Sequence, residues 1–126
     1  MRKPLLSLLL LAPLLPGCVV AAAAAGVLVS QEALDNNVYV ATLYRDAKHV
    51  WASAKVTLSR MSPKPIEVQD DVRKAVADID DGKASVSVET YDLNRSTLKV
   101  SAKKFGVNNG ELAKMVYDKI VRDLER

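Results

Sequence analysis

Between Val38 and Leu124 the apolar positions recur with two different periods, and the switches between them divide the chain into elements. Val38-Tyr39-Val40-Ala41-Thr42-Leu43-Tyr44 is dense in β-branched and aromatic residues and predicts a strand. Asp46 is then placed to cap a helix whose stripe is Val50, Trp51, Ala54, Leu58 and Met61, about four turns long. Ser62-Pro63-Lys64-Pro65 stops it, because proline lacks the amide proton and restricts the residue before it. Ile66 to Gln69 alternates as a short strand, and Asp70-Asp71 reads as a turn. Two further strands, Lys74 to Ile79 and Ala84 to Tyr91, flank the hairpin signal Asp80-Asp81-Gly82-Lys83. Beyond a turn at Asp92 to Ser96, Leu98, Val100 and Ala102 alternate with Lys99, Ser101 and Lys103. Asn108 followed by Glu111 resembles a capping box, and Ala113, Val116, Tyr117, Ile120 and Leu124 mark a closing helix.

Clear alternation within the strands means one buried face and one wet face. Two helices suffice to cover one face. The expected fold is therefore a two-layer α+β domain in the order β-α-β-β-β-β-α, spanning residues 38–126. Its sheet is mostly antiparallel, of about four to five strands, with both helices on one side. No internal repeat suggests a duplicated half.

The chain before Val38 has a different character. Arg2 and Lys3 precede a leucine-dominated run from Leu5 to Leu15, the charged and apolar regions of a secretory signal. A span across a hydrocarbon core of about 30 Å needs roughly 20 apolar residues, and Pro13, Pro16 and Gly17 interrupt this run too early. The segment closes on Leu15-Pro16-Gly17-Cys18, which resembles the bacterial lipobox. Leu15, Gly17 and Cys18 fit it, whereas Pro16 stands where a small residue is usual and its fixed φ constrains how the peptide enters a protease site. Residues 1–17 are thus expected to be a signal peptide, Cys18 the lipidated residue, and 18–37 a tether. Val19 to Val29, reading VVAAAAAGVLV, is too short to span a bilayer, and Ser30 to Asn37 is polar enough to complete a linker.

Charge and cysteine content sharpen this reading. The formal charge of +3 includes Arg2 and Lys3, so cleavage leaves a nearly neutral chain of about 110 residues, the size of one domain. Basic and acidic residues alternate along it, and no basic face of the kind nucleic-acid binding requires is evident. Cys18 is the single cysteine. It cannot pair within the chain, and in an exported protein thioether attachment removes an otherwise oxidisable thiol.

From GCVVAAAAAGVLV through VYVATLYRDAKHVWASAKVTLSRM to the terminal helix, the chain resembles a domain-of-unknown-function family of small proteobacterial lipoproteins. The shared pattern is a lipobox, an Ala/Gly-rich tether, a strand leading into a helix with a tryptophan, an Asp-Gly hairpin and a C-terminal helix. The resemblance implies diacylglyceryl attachment at Cys18. Because Val19 replaces the aspartate that signals inner-membrane retention, it also implies the periplasmic face of the outer membrane. No activity, cofactor or catalytic residue comes with it.

Candidate chemistry is sparse. His49 is the only histidine, and neither a zinc site nor a serine-histidine-aspartate site can be assembled around it from recognisable motifs. Asp78, Asp80 and Asp81 before Gly82 faintly resemble a calcium loop, but a closing ligand at Glu89 would fall inside a strand, so a hairpin is the simpler reading. Asp70 and Asp71 lack an identifiable general-acid partner. Asn94-Arg95-Ser96 matches a glycosylation sequon but reads as a turn. Tyr44, Tyr91 and Phe105 would line a small apolar pocket if they met at an open end of the sheet. No metal, cofactor or catalytic residue is expected. The leading expectation is a non-enzymatic envelope lipoprotein making protein or membrane contacts; the alternative is a module for a lipid or small apolar ligand.

Overall fold

A computed structural model describes residues 28–34 and 37–126. Its elements in chain order are β1 (Leu28–Leu34), β2 (Val38–Leu43), α1 (Ala47–Met61), β3 (Glu67–Gln69), β4 (Lys74–Ile79), β5 (Gly82–Asp92), β6 (Arg95–Lys104), β7 (Val107–Asn108) and α2 (Gly110–Leu124). The strands form one antiparallel sheet in the order β1-β2-β6-β5-β4-β3, with the short β7 also paired to β6. The two-layer α+β class is as expected, and so is the order of strands and helices from β2 to α2 apart from the two-residue β7. β2 lies beside β6 because α1 carries the chain to the far edge, from which β3 to β6 meander back.

The expected extent of the tether is corrected first. Leu28–Leu34, assigned to the tether by composition, is a strand that pairs along β2 from Leu28↔Leu43 to Leu34↔Val38. The sheet therefore begins at Leu28 and not at Val38. The sequence LVSQEAL carries little alternation, so its strand character comes from the unsatisfied backbone groups of β2 rather than from a local signal.

The core lies between the sheet and both helices. Three rows of strand residues face the helices: Val88, Leu98 and Ala41; Ala75, Val86, Val100 and Tyr39; and Ala77, Ala84 and Ala102. The alanines of the third row keep the sheet surface low there. Val50, Trp51, Ala54 and Leu58 of α1 and Leu112, Ala113, Val116, Tyr117, Ile120 and Leu124 of α2 complete the cluster. Tyr39 and Tyr117 stack with ring centroids 5.7 Å apart, linking β2 to α2. Between the helices, the Thr57 hydroxyl donates to Asp123 Oδ2 at 2.7 Å.

Caps and turns explain where the elements end. Asp46 accepts a hydrogen bond from the His49 amide at 3.2 Å, the N-cap expected from the sequence. At α2 the cap is Asn109, which accepts from the Leu112 amide at 2.8 Å, and not Asn108. Asn108 is held in β7 opposite Lys103, which shifts the helix start by one residue. Asp80 and Asp81 both have positive φ, 51° and 63°, as a two-residue hairpin turn requires. Gly82 opens β5 and serves a different purpose: a Cβ there would lie 2.7 Å from both Leu112 Cδ2 and the Lys103 carbonyl oxygen. A second two-residue turn, Phe105-Gly106 with φ of 53° and 78°, joins β6 to β7.

Candidate functional site

Leu15, Pro16, Gly17 and Cys18, with the rest of the segment expected to be a signal peptide, lie outside the described residues. Structural candidates are therefore those of the folded domain.

Of the three aromatics considered for a pocket, two come together and one does not. Tyr44 follows β2 and Tyr91 is the last residue but one of β5; the guanidinium of Arg95 lies 4.6 Å from the Tyr91 ring centroid and 6.0 Å from that of Tyr44. Asp92 orients that guanidinium, accepting from Arg95 Nε at 2.8 Å and from the Asn94 amide at 3.0 Å. Its carboxyl is held below the usual carboxylate range, first by Arg95 and then by the amide of Asn94. The result is a hydrogen-bonded turn with two aromatic rings about one cation. Both rings stay open to solvent, at 55% and 58% exposure, and Leu93 at the tip is 90% exposed. Phe105 sits at the other end of β6, ten residues away, and is 89% exposed. The expected Tyr44–Tyr91–Phe105 pocket is thus corrected to two separate exposed features at opposite poles of the sheet.

The remaining candidates resolve into structural contacts. Asp70 accepts from Trp51 Nε1 at 2.8 Å and from Lys55 Nζ at 2.7 Å, which ties the β3–β4 turn to α1. The bond from Lys55, then that from Trp51, depresses its pKa. Asp78 pairs with Lys83 at 2.8 Å, and Asp80 and Asp81 are exposed hairpin residues. His49 is exposed on the first turn of α1. Among the described residues no group of three His, Cys, Asp or Glu side chains is placed to hold a metal ion. No helix of the described residues is long and apolar enough to cross a membrane.

The helix-free face of the sheet carries a groove of about 540 Å³ lined by Ser85, Ser87, Thr97, Ser101, Lys74, Lys99, Glu67 and Glu89 together with Val68 and Val76. Hydroxyls and charges sit there beside the apolar side chains of Val68 and Val76, as on a sheet face with no helix over it. Arg95 was hidden in the sequence, where Asn94-Arg95-Ser96 reads only as a turn. The sole available signal was a cation flanked by tyrosines from two strands, which becomes meaningful once the strands are paired.

No family model, curated protein or solved structure matches this chain, so the functional reading rests on its residues and its fold.

Proposed function

We propose that this protein is a small bacterial envelope lipoprotein, anchored through Cys18 and acting by contact with proteins or membrane rather than by catalysis. The observation that carries the reading is the leucine-rich leader closing on Leu15-Pro16-Gly17-Cys18. Two or more acyl chains on Cys18, at about 0.8 kcal/mol per buried methylene, would hold the domain firmly at a membrane. Val19 favours the periplasmic face of the outer membrane.

The tip at Phe105 supports a contact role. A bulky side chain at φ 53° and 89% exposure is unfavourable both for the backbone and for hydration. Asparagine or glycine would suit the turn better, so the aromatic there is read as a contact residue for an envelope protein. Val107, also exposed, extends the apolar surface beside it.

The alternative, a module for a lipid or small apolar ligand, has less to draw on. The groove on the helix-free face mixes hydroxyls and charges with Val68 and Val76, and the tyrosines and Phe105 do not converge on it. Native mass spectrometry of the purified domain separates the readings: a co-purified apolar molecule would favour the ligand module.

Intact mass and membrane fractionation of wild type and Cys18→Ser test the anchor. Wild type should be heavier by its acyl groups and membrane-bound, and Cys18→Ser soluble. Identical mass and partition of the two would remove the anchor reading, and wild type in the inner-membrane fraction would move the location alone.

A further inference from the structure

We propose that the pole formed by Tyr44, Tyr91 and Leu93 seats on the lipid surface, so that the anchored domain stands with Phe105 pointing away from the membrane. The inference rests on the anchor at Cys18. It adds an orientation and a second, non-covalent membrane contact.

The direction of β1 places the tether. Because Leu28 pairs with Leu43, the chain preceding Leu28 leaves the sheet at the end where Tyr44 follows β2. Leu43 in turn pairs with Ser96, and Asp92 with Arg95, so the β5–β6 turn lies at that same end. Leu28, where the described chain begins, and the exposed Tyr44, Tyr91 and Leu93 therefore share one pole. Residues 19–27 separate Cys18 from Leu28 and reach at most roughly 35 Å when fully extended. Phe105 lies beyond the whole of β6, roughly 30 Å further from the tether exit. Only with the tether drawn straight along the full domain could that end meet the bilayer, whereas the tyrosine pole meets it with the tether slack.

The chemistry of the pole fits the headgroup boundary. Tyrosine is enriched there because its ring is apolar and its hydroxyl wet. Leu93 supplies a side chain that can enter the acyl edge, as in interfacial segments that bury their apolar face about 5–10 Å deep. Asp92 neutralises Arg95 and fixes the turn, and Arg95 holds both rings, so the surface is organised before contact.

The test uses the full chain, lipidated in cells and reconstituted into vesicles of phosphatidylethanolamine and phosphatidylglycerol at a ratio of about three to one, an anionic surface of the bacterial kind. With Cys18 acylated, Asn94→Cys or Val107→Cys provides the single thiol for a fluorescent label, and flotation reports anchoring separately. The soluble reference is a Cys18→Ser form carrying the same label, in detergent-free solution. That substitution removes the only other thiol, so both forms are labelled at one and the same position. Iodide quenching of the Asn94→Cys label should fall several-fold on vesicles relative to the reference, and quenching at Val107→Cys should not. Combining Tyr44→Ser, Tyr91→Ser and Leu93→Ser should restore quenching at position 94 while flotation persists; Leu93→Ser alone should restore part of it, and serves if the triple variant does not fold. Protein that floats with a fully quenched label at position 94 overturns the seating and leaves the anchor standing. Protein that carries no acyl group and does not float overturns the anchor and the seating together.

Discussion

Trp51 Nε1 donates a 2.8 Å hydrogen bond to Asp70 Oδ1, fastening the α1 layer to the turn that precedes β4. Asp70 is also bound by Lys55, whose ammonium lies 5.2 Å from the Trp51 ring centroid. A single carboxylate thus fixes an indole, a lysine and a strand connection.

Replacing Asp70 by Asn should weaken the domain, and the loss should depend on pH. The folded pKa of Asp70 is depressed, first by the Lys55 bond. Its contribution is therefore present above the ordinary aspartate value of about 3.9 and is lost as pH falls through the lower folded value. Urea unfolding of wild type and Asp70→Asn should differ at pH of about 7 and converge toward about pH 2. Trp51→Phe, which keeps the ring and removes the donor, should cost about 1–3 kcal/mol at neutral pH.

Gly82 and Gly106 should respond to alanine for different reasons. At Gly82 the added methyl meets the Lys103 backbone oxygen and Leu112, so the strand or α2 must shift, at about 1–3 kcal/mol or more. At Gly106 nothing lies within 4 Å, and only its φ of 78° opposes the change, at about 1 kcal/mol. Thermal melts with amide exchange should show disturbance at the β5–α2 contact for Gly82→Ala and a purely local effect for Gly106→Ala.

Tyr117 should make the fold sensitive to alkali. Its hydroxyl is buried and finds no hydrogen-bond partner among the described residues. Burial, followed by the charges of Asp118 and Glu125, pushes its pKa up to about 12. The folded value lies above the unfolded one, so the associated stability is complete below pH of about 10 and declines as pH rises through the folded value, by about 2–3 kcal/mol in all. Tyr117→Phe should be neutral or stabilising at neutral pH and should remove that part of the decline. Absorbance titration of tyrosinate beside circular dichroism would detect it, and an unchanged alkaline profile in the variant would contradict the assignment.

Phe105→Asn should separate stability from function. Asparagine accepts positive φ more readily, so the β6–β7 hairpin should gain up to about 1 kcal/mol. If Phe105 is a contact residue, the same change should lower crosslinking of the protein to envelope proteins in cells. A gain in both would argue that the aromatic has no contact role.

Much of the domain was legible because its signals are local. The alternation from Lys74 to Ile79, the Asp80-Asp81 turn and the Asp46 cap each act within a few residues, and β4 and the start of α1 fall where the pattern places them. The Asn109 cap was missed by one residue because β7 holds Asn108 through Lys103, a partner from the preceding strand. β1 was missed because its strand conformation is borrowed from the edge of β2. The candidate pocket failed for a related reason: Tyr44, Tyr91 and Phe105 have similar chemistry, and their separation depends on which end of each strand they occupy.

The sequence by itself determined the class of the fold, the limits of most elements and the lipobox-like pattern that ends at Cys18, since hydrophobic period, turn residues and such a pattern are written within short stretches of chain. Only the tertiary structure decided that β2 pairs with β6, that β1 begins at the Tyr44 end, and that Arg95 gathers two tyrosines there while Phe105 stands at the opposite pole. These are consequences of backbone pairing between segments distant in the chain, where each N–H and C=O must find a partner, and no local pattern records which partner it finds.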